Sequence, residues 1–198
     1  MNTISMPSLI KPTMLTARSK QRGISLVIVL MFLVILSVLG ISIMQGSSFG
    51  ALIARNEADR NLSFQAAEAA LRDAEADIKY VKADGSLCVE GAPPCRATAI
   101  DGTDFDSSCT NGLCEYIETS PSPAWETSTR WASGGASVPY GTYTSAAALP
   151  LVSQPPRYLI EYFSLNNRQT VVYRITAVGY GANASTKTML QTSFKARS

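Results

Sequence analysis

The sequence predicts an α+β fold: a long N-terminal helix, membrane-spanning in its first half and amphipathic in its second, packs on a C-terminal antiparallel β-sheet. Three observations predict this fold. An uncharged apolar run follows a basic N-terminus, the run continues into a proline-free, alanine-rich stretch, and the last third alternates apolar with polar residues. The 198 residues suffice for one globular domain and an accessory segment. We expect a leader over residues 1–23, the helix over 24–83 and a globular head over 84–198.

The first half of the predicted helix has no charged residue between Arg22 and Arg55. Its apolar part, about residues 24–44, has roughly the 20 residues that a helix needs to cross a bilayer. Residues 1–23 carry four basic residues and no acid, a charge of +4, which leaves −2 for the rest of the chain. The positive-inside rule therefore predicts a single membrane span with a cytoplasmic N-terminus and the rest of the chain across the membrane.

Two cleavage hypotheses remain open for the N-terminus. A secretory signal could be cut after Ser48-Phe49-Gly50, which would release a chain that begins at Ala51. A cut after Gly23 would instead keep the helix and make Ile24 the new N-terminus. The length of the apolar run and the unbroken helical pattern across Gly50 favour the second hypothesis.

The second half of the predicted helix carries one apolar stripe at three-to-four-residue spacing, which is typical of a face that packs on a partner. Glu68–Arg72 and Glu75–Lys79 are i,i+4 pairs worth about 0.2–0.5 kcal/mol each. Gly85 predicts the helix end near residue 83. A helix over 24–83 would be about 90 Å long, at 1.5 Å per residue, so its first half must be covered by lipid or by similar helices. The predicted stripe consists of Ala51, Ala58, Leu62, Ala66, Ala69, Ala70, Ala74, Ile78 and Val81.

Small residues between Gly40 and Gly50 weaken the helix, because glycine costs about 1 kcal/mol relative to alanine. One interpretation is close helix packing in the membrane. The other is a segment that unwinds when the helix leaves lipid for a fibre.

Four cysteines follow the apolar run: Cys88, Cys95, Cys109 and Cys114. An even number on the exported side predicts two disulfides, and the short gaps favour the local pairs Cys88–Cys95 and Cys109–Cys114. Zinc binding and free thiols are the alternatives, with zinc disfavoured by the spacing. The absence of histidine excludes Ser-His-Asp and Cys-His catalysis and most metal sites, so we expect no enzyme and no cofactor.

The loop-rich middle, residues 84–156, offers two candidate sites. Trp125 and Trp131 either contact a partner or, as loop tryptophans more often do, cover a local core. Asp101, Asp104 and Asp106 resemble a calcium loop but lack the EF-hand spacing, which favours a solvated turn. A rival enzyme hypothesis would have to use these three acids. A strand is predicted over 113–119.

The C-terminal third predicts three strands over about 157–195. Residues 157–163 are rich in strand formers, 170–179 alternate apolar and polar residues, and 186–195 close the chain. Turns are expected at Asn166-Asn167 and over 181–184. The resulting antiparallel meander should pack one face on the amphipathic half of the helix.

Three features together resemble the PilX-type minor pilins, members of the type IV pilin-like superfamily. The basic leader ends Lys20-Gln21-Arg22-Gly23 directly before the apolar run, and the ending combines residues 173–179 with 190–194. The stretch over residues 59–75, DRNLSFQAAEAALRDAE, is the most specific of the three.

The resemblance implies that prepilin peptidase cuts between Gly23 and Ile24 and that the Ile24 amino group is methylated. Pilins of this family commonly carry glutamate at the fifth position after the cut, where this chain has Ile28. In major pilins that acid is thought to pair with a neighbouring N-terminus, since an unpaired charge in hydrocarbon is costly. Ile28 therefore favours a subunit at the end of the fibre.

The implied function is a minor pilin in a tip or priming complex for pilus assembly, which supports twitching motility and attachment. Its partners would be other minor pilins, the major pilin, prepilin peptidase and membrane lipid, and it would finally reach the surface pilus. A K-type pseudopilin of type II secretion and an adhesin subunit are the alternatives. The mildly acidic remainder gives no indication of nucleic-acid binding.

Overall fold

A computed structural model describes residues 23–117, 122–165 and 170–195, without the side chains of 42–48, 164, 165 and 170. It divides into two compact units, Met1–Gly50 and Ala51–Ser198, and each is described by itself. The predicted leader lies outside the described residues, apart from Gly23. The predicted turn at Asn166-Asn167 also lies outside them, as does the end of the strand predicted over 113–119.

Helix α1 spans Ile24–Ile78 and begins in the first unit. Its segment Ile24–Ile41 is long and apolar enough to cross a membrane, and none of it is buried within the structure. The Ser37 hydroxyl donates to the Leu33 carbonyl at 2.7 Å, so this polar group is satisfied inside the helix. The segment therefore presents an almost wholly apolar surface.

In the second unit, α1 packs on the sheet through a narrow face of small residues. This face differs from the predicted stripe, because Ala51 and Ala58 are exposed and Leu62 and Ala69 are only half-buried. Small polar and acidic residues take part in the face because they have specific partners across it. The buried residues are Ser63, Ala66, Ala67, Ala70, Asp73, Ala74 and Asp77.

The helix ends at Ile78, five residues before the predicted end at 83. Tyr80 adopts a left-handed conformation with φ 56°, and its N–H donates to the Asp77 carbonyl at 3.1 Å. The Val81 N–H reaches back to the Ala76 carbonyl at 3.0 Å, which completes a Schellman cap without glycine. Gly85, the predicted cap, instead forms the tight turn that pairs Val81 with Leu87.

The sheet contains β1 (Leu113–Glu115), β2 (Val138–Pro139), β3 (Arg157–Leu165), β4 (Thr170–Tyr180) and β5 (Lys187–Lys195). The antiparallel meander β3-β4-β5 is confirmed, with Arg157 opposite Val178 and Tyr180 opposite Lys187. The sheet as a whole is mixed and not antiparallel, because β1 runs parallel to β3. β2 adds a short antiparallel pair to β3.

The two faces of the sheet carry separate apolar clusters. On the helix side, Ala70 and Ala74 meet side chains from β3 and β4, namely Tyr158, Ile160, Tyr173, Ile175 and Ala177. On the other side, Leu159 packs against Cys109 and Cys114, with Trp131 partly covering the cluster. The loop-rich segment therefore contributes to both faces of the sheet, since Phe105 and Val138 belong to the helix-side cluster and Cys109 to the other.

Gly179 on β4 allows the close approach of α1. A Cβ atom at this position would lie 2.1 Å from the Ser63 carbonyl oxygen and 2.2 Å from the Ala67 nitrogen. Both are backbone atoms of the helix, so no side-chain rotation could relieve the overlap. The absence of a side chain at Gly179 therefore fixes the distance between helix and sheet.

We expect Gly179→Ala to lower the free energy of unfolding by about 1–3 kcal/mol, because the added methyl overpacks a rigid contact. Denaturant unfolding of the full chain in detergent, followed by the fluorescence of Trp125 and Trp131, measures the change. Gly40→Ala is the control, since a Cβ there meets nothing within 4 Å. Equal stability of both variants would mean that α1 can move away from β4 at little cost.

Candidate assembly surface and the contacts that hold the head

The candidate assembly surface is the apolar segment Ile24–Ile41. Gly23 forms a turn directly before α1, and Ile24, the first helical residue, is 70% exposed. Ile28 is 49% exposed, the lowest value among the exposed large apolar side chains of this segment. Such a continuous apolar surface requires lipid or other apolar helices as cover.

The position of Ile28 has an electrostatic consequence. Ile24–Ile41 contains no ionisable side chain, so nothing in this segment can pair with a neighbouring N-terminal amine. A charge inside hydrocarbon is costly unless it is paired. Contacts made by the side chains of this segment can therefore involve only apolar packing and uncharged polar groups such as the serine hydroxyls.

A buried ion pair joins the end of α1 to the loop-rich segment. The Arg96 guanidinium donates to both carboxylate oxygens of Asp77, with Nη2 2.7 Å from Oδ2 and Nε 2.8 Å from Oδ1. The Arg96 side chain is 8% exposed and the Asp77 side chain 2%. The guanidinium also donates to the Asn111 carbonyl at 3.0 Å and lies 4.0 Å from the centre of the Tyr143 ring. One pair thus anchors three loops to the helix.

The Tyr158 hydroxyl extends this network into the sheet. It donates to Oδ2 of Asp77 at 2.8 Å and is fully buried. Burial raises the pKa of Tyr158 well above its ordinary value, and the negative charge of Asp77 raises it further. The hydroxyl therefore keeps its proton and remains a donor at any physiological pH.

Asp73 makes a second buried polar anchor one helical turn earlier. It accepts hydrogen bonds from the Thr144 hydroxyl and, at 2.7 Å, from the Gly141 N–H. Burial raises the pKa of Asp73 above its ordinary value, although the two hydrogen bonds act in the opposite direction. Asp73 thus holds the loop over residues 141–144 against α1.

Two further acids fix β-strands and their turn. Glu161 on β3 is 1% exposed and forms a bidentate pair with Arg174 on β4, with both N–O distances 2.7 Å. Asp59 on α1 accepts from the N–H groups of Ala182 and Asn183 at 2.6 and 3.3 Å. A hydrogen bond from the Thr186 side chain is the main reason why the pKa of Asp59 is lowered. The turn between β4 and β5 is therefore tied to the helix.

The cysteines form the pairs Cys88–Cys95 and Cys109–Cys114 in the structure. Cys109 and Cys114 are fully buried under the outer face of the sheet, and Cys114 lies in β1. Cys95 directly precedes Arg96, so the first disulfide closes a loop beside the buried ion pair. The pairing leaves no free cysteine in the described residues.

Asp101, Asp104 and Asp106, for which the sequence favours a solvated turn over a calcium loop, accept hydrogen bonds inside their own turns. The Asp101 carboxylate accepts from the N–H and hydroxyl of Thr103, and Asp104 accepts from the Asp101 N–H. Asp106 accepts from the Thr110 N–H at 3.2 Å. Over the part of the chain that the structure describes, no group of three or more acidic, histidine or cysteine residues could hold a metal ion.

The two tryptophans contact each other and a local cluster. Trp131 Nε1 donates to the Trp125 carbonyl at 2.8 Å, and the Trp131 ring packs beside Leu159 and the Cys109–Cys114 bridge. This favours the interpretation of Trp131 as a cover of the outer face.

A separate groove of 740 Å³ has a mainly apolar lining. It is lined by Leu62, Ala182 and Leu151, and Leu151 is 81% exposed.

Sequence reasoning missed the polar anchors, although one pattern pointed to them. Asp73 and Asp77 are four residues apart and lie inside the alanine stripe, where an acid must be paired if the face is buried. Their partners Thr144 and Arg96 are 71 and 19 residues away, and no local pattern selects them.

Comparison with known proteins gives the decisive observation. Residues 22–72 match the family PilX N-terminal, and residues 93–196 match the family Type IV pilus assembly protein PilX C-term. The chain belongs to the PilX family of type IV pilus assembly proteins. Neither the comparison with curated proteins nor that with solved structures found a match.

Membership in the PilX family explains why an exposed apolar helix and a folded head occur in one chain. The family consists of structural pilus components and implies association with other pilus components. The chain is thus a type IV pilus minor pilin, with an apolar N-terminal helix suited to membrane anchoring. The polar anchors of the head attach its loops to α1 and to the sheet.

We expect Asp77→Asn to lower the free energy of unfolding by about 3–5 kcal/mol, because Arg96 would stay buried without a countercharge. Denaturant unfolding of the full chain measures the loss. The matched control is Glu68→Gln, which breaks the exposed 3.8 Å pair with Arg72 and should cost about 0.5 kcal/mol or less. Similar losses for both variants would contradict the assigned role of Asp77.

The raised pKa of Asp73 predicts a specific pH dependence. Stability from this group is fully present below the unfolded pKa, about 3.9, and is lost as the pH rises through the higher folded value. The unfolding free energy of the wild type minus that of Asp73→Asn should therefore fall as the pH rises from about 4. Denaturant titrations of both proteins across this range test it, and a difference that rises with pH would contradict it.

Proposed function

We propose that this PilX-family protein is a minor pilin of a tip or priming complex that initiates type IV pilus assembly and thereby supports twitching motility and attachment. The observation that carries the proposal is the combination of the family match with an exposed apolar segment that lacks an ionisable residue. Major-pilin register is attributed to an acid at the fifth position, where this chain has Ile28. A subunit without that acid suits the end of a fibre better than its repeating shaft.

The protein is first an inner-membrane protein with its N-terminus in the cytoplasm and its head in the periplasm. The +4 charge of residues 1–23 supports this orientation. Prepilin peptidase then cuts between Gly23 and Ile24, and the Ile24 amino group is methylated. The turn at Gly23, immediately before the start of α1, supports the proposed site because it leaves the bond outside the helix.

The head supplies the docking surface for other minor pilins and the major pilin. Its disulfides and buried anchors support this role, because they keep a loop-rich surface in one conformation before any partner binds. A preorganised surface loses less conformational entropy on association.

The intact mass of the protein purified from membranes tests the processing step. The expected species starts at N-methylated Ile24 in cells with prepilin peptidase and at Met1 in cells without it. A start at Ala51 would identify a secreted protein and exclude a pilin.

Deletion of the gene tests the function itself. We expect loss of surface pili, counted by electron microscopy, and their return when the full chain is expressed. Normal pili with impaired protein secretion would identify a pseudopilin, whereas normal pili with lost attachment would identify an adhesin subunit.

A further inference from the structure

Strand β5 is an open edge of the sheet. All nine of its residues, Lys187–Lys195, pair with β4, and no described residue pairs with its other side. The register is continuous, without a bulge or a proline inside the strand. An edge of this length is a ready template for an additional strand.

The backbone groups available at this edge follow from the hairpin register. The Gly181 N–H donates to the Thr186 carbonyl at 2.8 Å, and hydrogen-bonded pairs then alternate along the ladder. The N–H and C=O groups of alternate β5 residues therefore point away from β4. These residues are Lys187, Met189, Gln191, Ser193 and Lys195, and the same five have exposed side chains.

An apolar seam lies beside the open edge, on the helix side of β5. The Ser63 hydroxyl lies 2.7 Å from the Thr188 hydroxyl, and Lys79, the first residue after α1, lies 5.0 Å from the centre of the Phe194 ring, so the end of α1 and the residue after it lie beside β5. Leu71, Ile78 and Phe194 pack against the core but remain only partly buried. A strand added to β5 would cover this seam and gain apolar burial as well as hydrogen bonds.

The charges of the β5 side chains indicate which kind of strand can pair with its open edge. Lys187 and Lys195 mark the two ends of β5 and have no ion pair within the described residues, while Met189, Gln191 and Ser193 between them are uncharged. Two copies that paired antiparallel over the full strand would place Lys187 opposite Lys195 at both ends. Like charges directly opposite each other destabilise a sheet, whereas opposite charges stabilise it.

We propose that the open edge of β5 docks an extended segment of another pilus subunit, with acidic side chains opposite Lys187 and Lys195. The two acids would be eight residues apart, about 27 Å along an extended chain. The inference rests on the proposed function, because it names the surface by which the head joins its partner. It excludes a second copy of this chain as the preferred occupant.

Photo-crosslinking in pilus-assembling cells tests the contact. A benzoylphenylalanine residue replaces Met189, which is 42% exposed, in the full chain. We expect a crosslink to a peptide of a different pilus subunit that carries two acids at this spacing. The same probe at Leu151 examines the apolar groove, and a crosslink from Leu151 alone, or from Met189 to a second copy, would overturn the proposal.

Variants of Lys187 then test whether charge selects the partner strand. In the Met189 probe background, Lys187→Glu should reduce the crosslink yield about fivefold, because it turns an attractive cross-strand pair into a repulsive one. Changing the facing acid of the partner to lysine should restore the yield. Arg72→Glu is the matched control, since it makes the same charge change at an 81% exposed side chain on another face and should leave the yield unchanged.

Lys187→Gln provides a second variant that adds no negative charge, and its yield should lie between those of the wild type and Lys187→Glu. An unchanged yield in both Lys187 variants would overturn the charge selection. Pilus counts separate this outcome from failure of the proposed function. If gene deletion removes pili but the edge variants crosslink normally, only the edge proposal fails, whereas pili that survive deletion contradict the function itself.

Discussion

The close contact between α1 and β4 is the constraint on which the head depends. Gly179 offers no side chain, and the facing residues Ser63 and Ala67 are small, so the helix backbone rests directly on the strand. Next to Gly179 the face has no room for large side chains. Asp73 and Asp77, further along the same face, are buried and must find their partners inside the protein. The long-range bonds to Thr144, Arg96 and Tyr158 supply these partners.

This arrangement explains how a loop-rich segment acquires a defined shape. The described residues of the segment 84–117 and 122–156 contain little regular structure, yet they are attached to α1 by charged groups and to the outer face of the sheet by the Cys109–Cys114 bridge. Buried ion pairs add modest net stability, but they strongly disfavour conformations in which one charge loses its partner. The anchors thus determine which conformation the loops adopt, while the apolar clusters supply most of the stability.

The sequence predicted the elements that have a strong local period and missed those that depend on distant partners. The apolar helix, the meander β3-β4-β5 and the turn after Gly181 follow from residue spacing, because lipid or core burial imposes that spacing directly. A strand was predicted from residue 113, where β1 begins, but its parallel pairing with β3 was not, because more than 40 residues of sequence separate the two strands and no local pattern selects the partner. The helix end was misplaced because Tyr80 adopts the left-handed conformation for which glycine is the usual residue. Processing at Gly23 and the role of Ile28 stay predictions.

The loop closed by Cys88–Cys95 has a further consequence for how this protein can evolve. Its two ends are joined covalently, and Arg96, the next residue, is fixed by Asp77. Val89 at its start is 64% exposed and belongs to neither buried cluster. No side chain between the two cysteines is buried, although the Gly91 N–H donates to the Ala97 carbonyl at 2.9 Å. The loop is therefore a position where natural variants can alter the outer surface, and where an epitope tag would replace no buried side chain.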